Sequence, residues 1–471
     1  MTLRHAGVGA TERGGRLEGW SGGKRSRRVA LSRLRRWTLA GALVLATGAP
    51  AVAQPTPELI RARTEREWTI KADKMRQHLL PLMRRHEIDL WIILSRENAP
   101  DPVLELFGGY GVTGWYGHRN AYLFFDAGAD AGLETTAIGT HLSGHLRRFY
   151  DTRTLYGEEG LMPHLREYLD ARDPRRIAVN QSRTISMADG LTAELKDYLL
   201  ETLGPDRAGR LVSSEPLVVD YASTHTEAEH EVQREASTAT FDILRRAFSG
   251  DVITPGRTTL MDVRYWITAE WKRLGFEFNF PGSLDLQRPG GVSLDDADDP
   301  TIERGDLLHV DFGVRTSGIV ADQQKMAYVL REGETAPPEG LVRAFDVSSR
   351  AAALILEEMQ VGRTGIAIKE AAERRAAEAG IDLLVYSHVQ GYWVHDAGMW
   401  AIFDWPERYG DHPRITLKDG DWVSLEFAVT VPVPEWGGQA VSIMREEDTL
   451  ITAGAPPEYL SGPQAGLWVI E

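Results

Sequence analysis

Hydrophobic residues recur at two spacings along this chain, every second position in short runs and every third or fourth in longer ones. The short runs Ile88–Leu94, Ala121–Phe125 and Arg176–Val179 are bounded by turn residues and predict strands, while Leu191–Leu203 has helical spacing. Residues 61–215 are therefore expected to form an α/β domain. Nothing in it clusters the residue types that chemistry needs. Its expected role is to cover or shape a site, or to mediate contacts with a second copy.

A second domain is expected over 222–471. It opens at Thr226-Glu-Ala-Glu229, a capping-box pattern, and a helix follows with Val232, Ala236, Phe241 and Leu244 near one face. An internal repeat then emerges. Gly256-Arg257-Thr258 starts a helical stretch that ends at Gly275, and Gly362-Arg363-Thr364 starts another that ends at Gly380. Further on, Gly305-Asp-Leu-Leu-His-Val-Asp-Phe-Gly-Val314 is echoed by Gly420-Asp-Trp-Val-Ser-Leu-Glu-Phe-Ala-Val429. Two similar units predict an α+β fold with pseudo-two-fold symmetry.

The alternation within these strands separates acids from apolar residues. Leu308, Val310, Phe312 and Val314 share one face and Asp311 takes the other; Val423, Leu425, Phe427 and Val429 likewise oppose Glu426. Asp322 lies in Ile319-Val-Ala-Asp-Gln-Gln324, expected as a strand running back beside the first. In Val441-Ser-Ile-Met-Arg-Glu446 the parity selects Glu446 rather than Glu447 as the acid opposite Val441 and Ile443. Four carboxylates aimed into one dry space repel one another unless cations sit between them. Two divalent ions resolve this and also activate a water as nucleophile.

Composition narrows the chemistry. The 471 residues include no cysteine, which excludes thiol nucleophiles, disulfides and cysteine-ligated zinc. A metal here is held by carboxylates and imidazoles, which suit manganese first and also cobalt, zinc or iron(II). Residues 1–36 carry ten Lys/Arg, an apolar run of about 14 residues begins at Leu39, and Ala51-Val52-Ala53 closes it. This order predicts a secretory signal peptide over 1–53 and an exported, periplasmic or extracellular product. Arg35-Arg36 partly resembles a twin-arginine export signal, without the Phe-Leu-Lys that usually follows. The remainder has 43 Lys/Arg against 66 Asp/Glu, a surface that repels phosphate backbones and excludes nucleic acid as the expected partner. No stable membrane insertion is expected after cleavage. No G-x-S-x-G supports serine hydrolase chemistry.

These residues resemble those of the pita-bread metallopeptidases: methionine aminopeptidase, aminopeptidase P, prolidase and creatinase. The resemblance covers roughly 222–471, and the upstream domain is similar to the amino-terminal domain of aminopeptidase P and creatinase. The family's V-D-x-G stands at Val310-Asp311-Phe312-Gly313, with its second Asp eleven residues on at Asp322. Its ligand His, followed seven residues later by a catalytic His, matches His388 and His395, and its two Glu ligands match Glu426 and Glu446. The resemblance implies that Asp311 chelates one metal, that Asp322 and Glu446 bridge both, and that His388 and Glu426 complete the other. His395 would donate to the developing oxyanion, a short peptide would be the substrate, and the protein would be a homodimer. His309 is read as packing.

The chain also departs from the family. Glu426 is followed by Phe427 instead of Pro, and the Arg expected three after Asp322 is Lys325. Leu294 and Leu384 stand where proline-specific members carry imidazoles, which predicts a relaxed preference for proline. Tyr392, Trp393 and Trp400 are read as an apolar wall or as core. The acidic run at 295–299 is read as a solvated loop. Non-peptide hydrolase or lyase chemistry on the same scaffold is the alternative reading. A non-catalytic binding module would be expected to have lost ligands.

Overall fold

The structure, a computed structural model, describes residues 55–108, 119–140, 142, 144–156 and 160–471. The expected signal peptide over 1–53 lies outside the described residues. In the first half, a six-stranded sheet runs in the order Asp151–Thr154, Leu133–Gly139, Arg119–Asp126, Leu90–Arg96, Ile177–Val179 and Leu211–Ser213. The three predicted strands are among these, and the predicted helix falls within Ala193–Ala208. Ile88 is excluded from its strand for a local reason. Glu87 is left-handed (φ 57°), and the Ile88 N–H closes the preceding helix by donating to Met83 O at 2.9 Å.

The second half is built on an 11-stranded sheet whose central strands are Trp422–Val433, Gln439–Leu450, Gln323–Val329 and Leu307–Phe312. Helices Glu227–Ala247 and Leu260–Arg273 pack on one part of it, burying Leu308, Val310 and Phe312 with Ala236, Ile243 and Val263. Helices Glu339–Glu358 and Gly365–Glu378 pack on the other, burying Val423, Leu425, Phe427 and Val429 with Ala344, Phe345 and Ile368. The strand parity predicted from sequence is the parity found.

The repeat extends to the backbone. Thr259 and Thr364 cap the equivalent helices, which end before Gly275 (φ +73°) and Gly380 (φ +71°), a conformation that glycine adopts without strain. The same two threonines form bridges to Thr301 and Thr416. Gly305 N–H donates to Val329 O at 2.7 Å, and Gly420 N–H donates to Ile451 O at 2.9 Å. The curled sheet thus has two halves of one design.

The Thr226 capping box forms with both of its hydrogen bonds, and Glu229 has further partners. Fully buried, it accepts from Lys74 Nζ of the first helix at 3.0 Å and from the Tyr392 hydroxyl at 2.5 Å. Removing the cation strands a buried carboxylate. Lys74→Met is expected to cost about 3–5 kcal/mol in unfolding free energy, read from the denaturant midpoint. A loss below about 1 kcal/mol would show that the buried pair contributes little.

Candidate metal centre

Four neighbouring strands place the acids in one row. Asp311 lies opposite Gln324, Gln324 opposite Glu446, and Glu446 opposite Glu426. Residues in such a cross-strand row share a face and stand about 4.8 Å apart from strand to strand. Asp322 joins from a different position than predicted. It sits one residue before the Gln323–Val329 strand, in the turn that brings the chain back from Phe312. Gly313 makes that return possible, because a Cβ there would lie 1.7 Å from Ala321 O.

His388 comes from the adjoining Ser387–Gln390 strand, opposite Ser424. Its Nε2 is 3.5 Å from Glu446 Oε1, 3.7 Å from Asp322 Oδ2 and 3.7 Å from Glu426 Oε2. That nitrogen, Asp311 Oδ1, Asp322 Oδ1 and both Glu446 carboxylate oxygens are buried without a hydrogen-bond partner. Buried polar atoms are normally paired, so this convergence of orphaned ligand atoms calls for a cation. Ligand atoms of Asp311, Asp322 and Glu446 lie within 4.8 Å of one another, as do those of His388, Glu426 and Glu446. Two groups sharing Glu446 fit two divalent ions.

The electrostatics point the same way. Burial, with Glu446 adding to it, pushes the Asp311 carboxyl up to about 7. Burial pushes Glu446 up to about 7 and holds Asp322 and Glu426 well above the usual carboxylate range, each reinforced by neighbouring acids. Burial also holds the His388 imidazole down to about 4, leaving it neutral and able to ligate.

His395 stands at the rim. Its ring centroid is 4.3 Å from that of His388 in a T-shaped arrangement, and it shares a ligand-atom group with Asp322 and His388. The His388 ring beside it, together with burial, pushes it down to about 3. The loop that carries it is pinned by Asp396, which accepts from Tyr392 N–H at 3.0 Å and Ala397 N–H at 2.5 Å. Trp400 lies 5.3 Å from His395 and stacks on His412, at the edge of the site. Tyr392 instead belongs to the core, and half-buried Trp393 packs against that core.

Two features were missed in the sequence. His309 does not simply pack. Its Nδ1 is 2.7 Å from Asp285 Oδ2 and its Nε2 is 3.0 Å from Gln324 Oε1, while Gln324 Nε2 donates to Glu426. This chain of hydrogen bonds fixes the Glu426 carboxylate. Burial works against the charged imidazole, but Asp285 prevails and raises His309. The second is Tyr386, half-buried, whose phenol lies in the field of Glu426, Glu446, Asp311 and Asp285.

The two leucines are not equivalent. Leu294 pairs with Leu286, which pairs with Leu308, so it packs on the helix side and away from the acids. Leu384 pairs with Ala428, two residues from Glu426 on the acid side, and is 42% exposed. The reading of Leu294 as a substrate neighbour is corrected, because a count along the chain does not specify a face. In the acidic loop, Asp296 pairs with Arg264 and Asp295 accepts from Ala297 N–H; among the described residues neither joins a group of possible metal ligands.

A curled sheet with pseudo-two-fold symmetry and a carboxylate–imidazole centre at its middle defines the pita-bread class. The model of metallopeptidase family M24 matches residues 231–453 of the chain. Methionine aminopeptidases from Pyrococcus horikoshii and Pyrococcus abyssi are 28% and 26% identical over 182 and 181 residues, 37% of this chain in each case. That match spans 57% of the length of those relatives. The crystal structure of X-Pro aminopeptidase from Thermotoga maritima aligns with a TM-score of 0.60 at 18% identity, covering 83% of this chain and 99% of that one. Xaa-Pro dipeptidase from Bacillus anthracis aligns with a TM-score of 0.61 at 15% identity, covering 85% and 99%. At these identities the structural likeness establishes the fold, in both halves of the chain.

Proposed function

We propose that this protein is an exported, dinuclear metal-dependent peptidase that hydrolyses the N-terminal peptide bond of short peptides, of the Xaa-Pro aminopeptidase or dipeptidase kind. The observation that carries this is the convergence of orphaned oxygens from Asp311, Asp322 and Glu446 with His388 Nε2. Asp311 would hold one ion, Asp322 and Glu446 would lie between both, and His388 and Glu426 would hold the other. Two divalent cations, manganese by first preference, would supply Lewis acidity and an activated water. Gln324, His309 and Asp285 keep the Glu426 carboxylate oriented, as second-layer hydrogen bonds do around ligands. His395, neutral at pH 7, offers an N–H to the oxyanion that develops on the scissile carbonyl.

Export is supported by the basic, apolar and small-residue order before Gln54. Among the described residues no helix is long and apolar enough to cross a membrane. A homodimer acting on peptides rests on the family resemblance.

The test is hydrolysis of Ala-Pro, Ala-Pro-Ala and Ala-Ala-Ala by purified protein with added Mn²⁺, repeated after chelation. Cleavage behind the first residue, lost on chelation, is expected. With exposed Leu384 supplying an apolar contact and no hydrogen bond, Pro and Ala at the second position should differ by less than about a hundredfold in kcat/KM. Protein that carries two metals and cleaves none of these peptides would overturn the peptidase reading in favour of non-peptide chemistry.

A further inference from the structure

Resting on the peptidase reading, we infer that Tyr386 is a substrate-contacting residue whose hydroxyl hydrogen-bonds an oxygen of the bound peptide beyond the scissile bond. The argument begins with register. Strands Asp382–Val385 and Ser387–Gln390 both pair with Trp422–Val433, Val385 opposite Phe427 and His388 opposite Ser424. Tyr386 falls between them, opposite Glu426, and its N–H donates to Glu426 O at 3.1 Å. It therefore extends the row of Asp311, Gln324, Glu446 and Glu426 by one more position, on the same face.

What surrounds it defines its use. Leu384, Tyr386 and His388 share the parity that faces the acids. His388 is committed to the cluster and Leu384 is apolar, which leaves the phenol as the donor along this edge. Among the described residues its hydroxyl has no hydrogen-bond partner, and the side chain is only half-buried, so the group remains accessible. A phenol carries one O–H donor, and with no protein acceptor bonded to it the proton is available to an incoming oxygen. The matching ligand chemistry is a carbonyl or carboxylate oxygen, attached to a residue whose apolar side chain rests on Leu384. In a peptide held by its N-terminal end at the cluster, that is the residue after the scissile bond. This chain thus carries a phenol two positions along from the leucine that took the place of an imidazole.

The experiment compares wild-type protein with Tyr386→Phe, which keeps the ring and its packing. Both are measured for Mn²⁺ content, for kcat/KM on Ala-Ala-Ala and Ala-Ala, and for calorimetric binding of Ala-Ala-Ala with its scissile amide reduced to CH₂–NH. The expected result is unchanged metal content with a roughly fivefold to tenfold loss in both kcat/KM and affinity for the reduced peptide. A loss confined to Ala-Ala-Ala identifies a carbonyl as the acceptor, and one confined to Ala-Ala identifies a terminal carboxylate; either supports the contact. Affinity for the reduced peptide within twofold of wild type overturns it, as does a fall in metal content, which would make Tyr386 part of the metal shell. If wild-type protein cleaves no peptide, the peptidase reading fails, and binding of the reduced peptide still decides the role of Tyr386.

Discussion

Asp322→Asn is expected to abolish high-affinity metal binding and to lower kcat/KM on a cleaved peptide by more than about a hundredfold, the upper range for losing a mere supporting partner of a ligand. The substitution isolates charge. Asparagine keeps the shape of the side chain, and the backbone bonds that hold this turn, from Asp322 N–H to Asp448 at 3.1 Å and from Ser424 Oγ to Asp322 O at 3.2 Å, remain in place. What disappears is one of the two carboxylates, Asp322 and Glu446, that lie with Asp311 in one group of ligand atoms and also face His388 Nε2. Losing a ligand at one ion would leave the other bound; losing a shared one weakens both. Elemental analysis and Mn²⁺ calorimetry check this. In chelator the variant should melt no lower than wild type, because one acid fewer is crowded among the buried carboxyls. Two ions per chain at wild-type affinity would remove Asp322 from the centre of the site.

The residues that could be read in advance are those whose role follows from spacing alone. Asp311, Glu426 and Glu446 were legible because a strand alternates its faces and the apolar residues declare which face is buried. The repeat was legible because Gly275 and Gly380 occupy matching left-handed helix ends, and Gly305 and Gly420 matching turns. Gln324 was not legible. Its place between Asp311 and Glu446 arises from a strand pairing that links residues 324 and 446, and no local pattern encodes such a register. His309 was missed for the same reason, since its partners Asp285 and Gln324 arrive from the strands on either side. Leu294 shows the opposite error, a position assigned by counting whose strand turns it to the helices. Tyr392 was open between an apolar wall and core, and it is core because its hydroxyl donates to buried Glu229, a pairing of residues far apart in sequence.

His395→Ala is expected to keep the metals and lose rate, by about 10²–10³ in kcat, the range for deleting one oxyanion donor. The structure makes this a real choice between two roles, because a ligand atom of His395 lies within 4.8 Å of those of Asp322 and His388. Its exposure argues for the rim. Asp311, Asp322, Glu446 and His388 each carry a buried atom without a partner, and His395 carries none. A neutral imidazole keeps an N–H to donate, and the Asp396 pins hold its loop against Tyr392 and Ala397, so the donor is placed before substrate arrives. Such a preset donor acts on charge that appears only as the scissile carbonyl is attacked, so KM should change little while kcat falls. Metal content and kcat measured on the same sample separate the roles. Loss of either ion from the variant would make His395 a ligand, and the oxyanion would then need another donor.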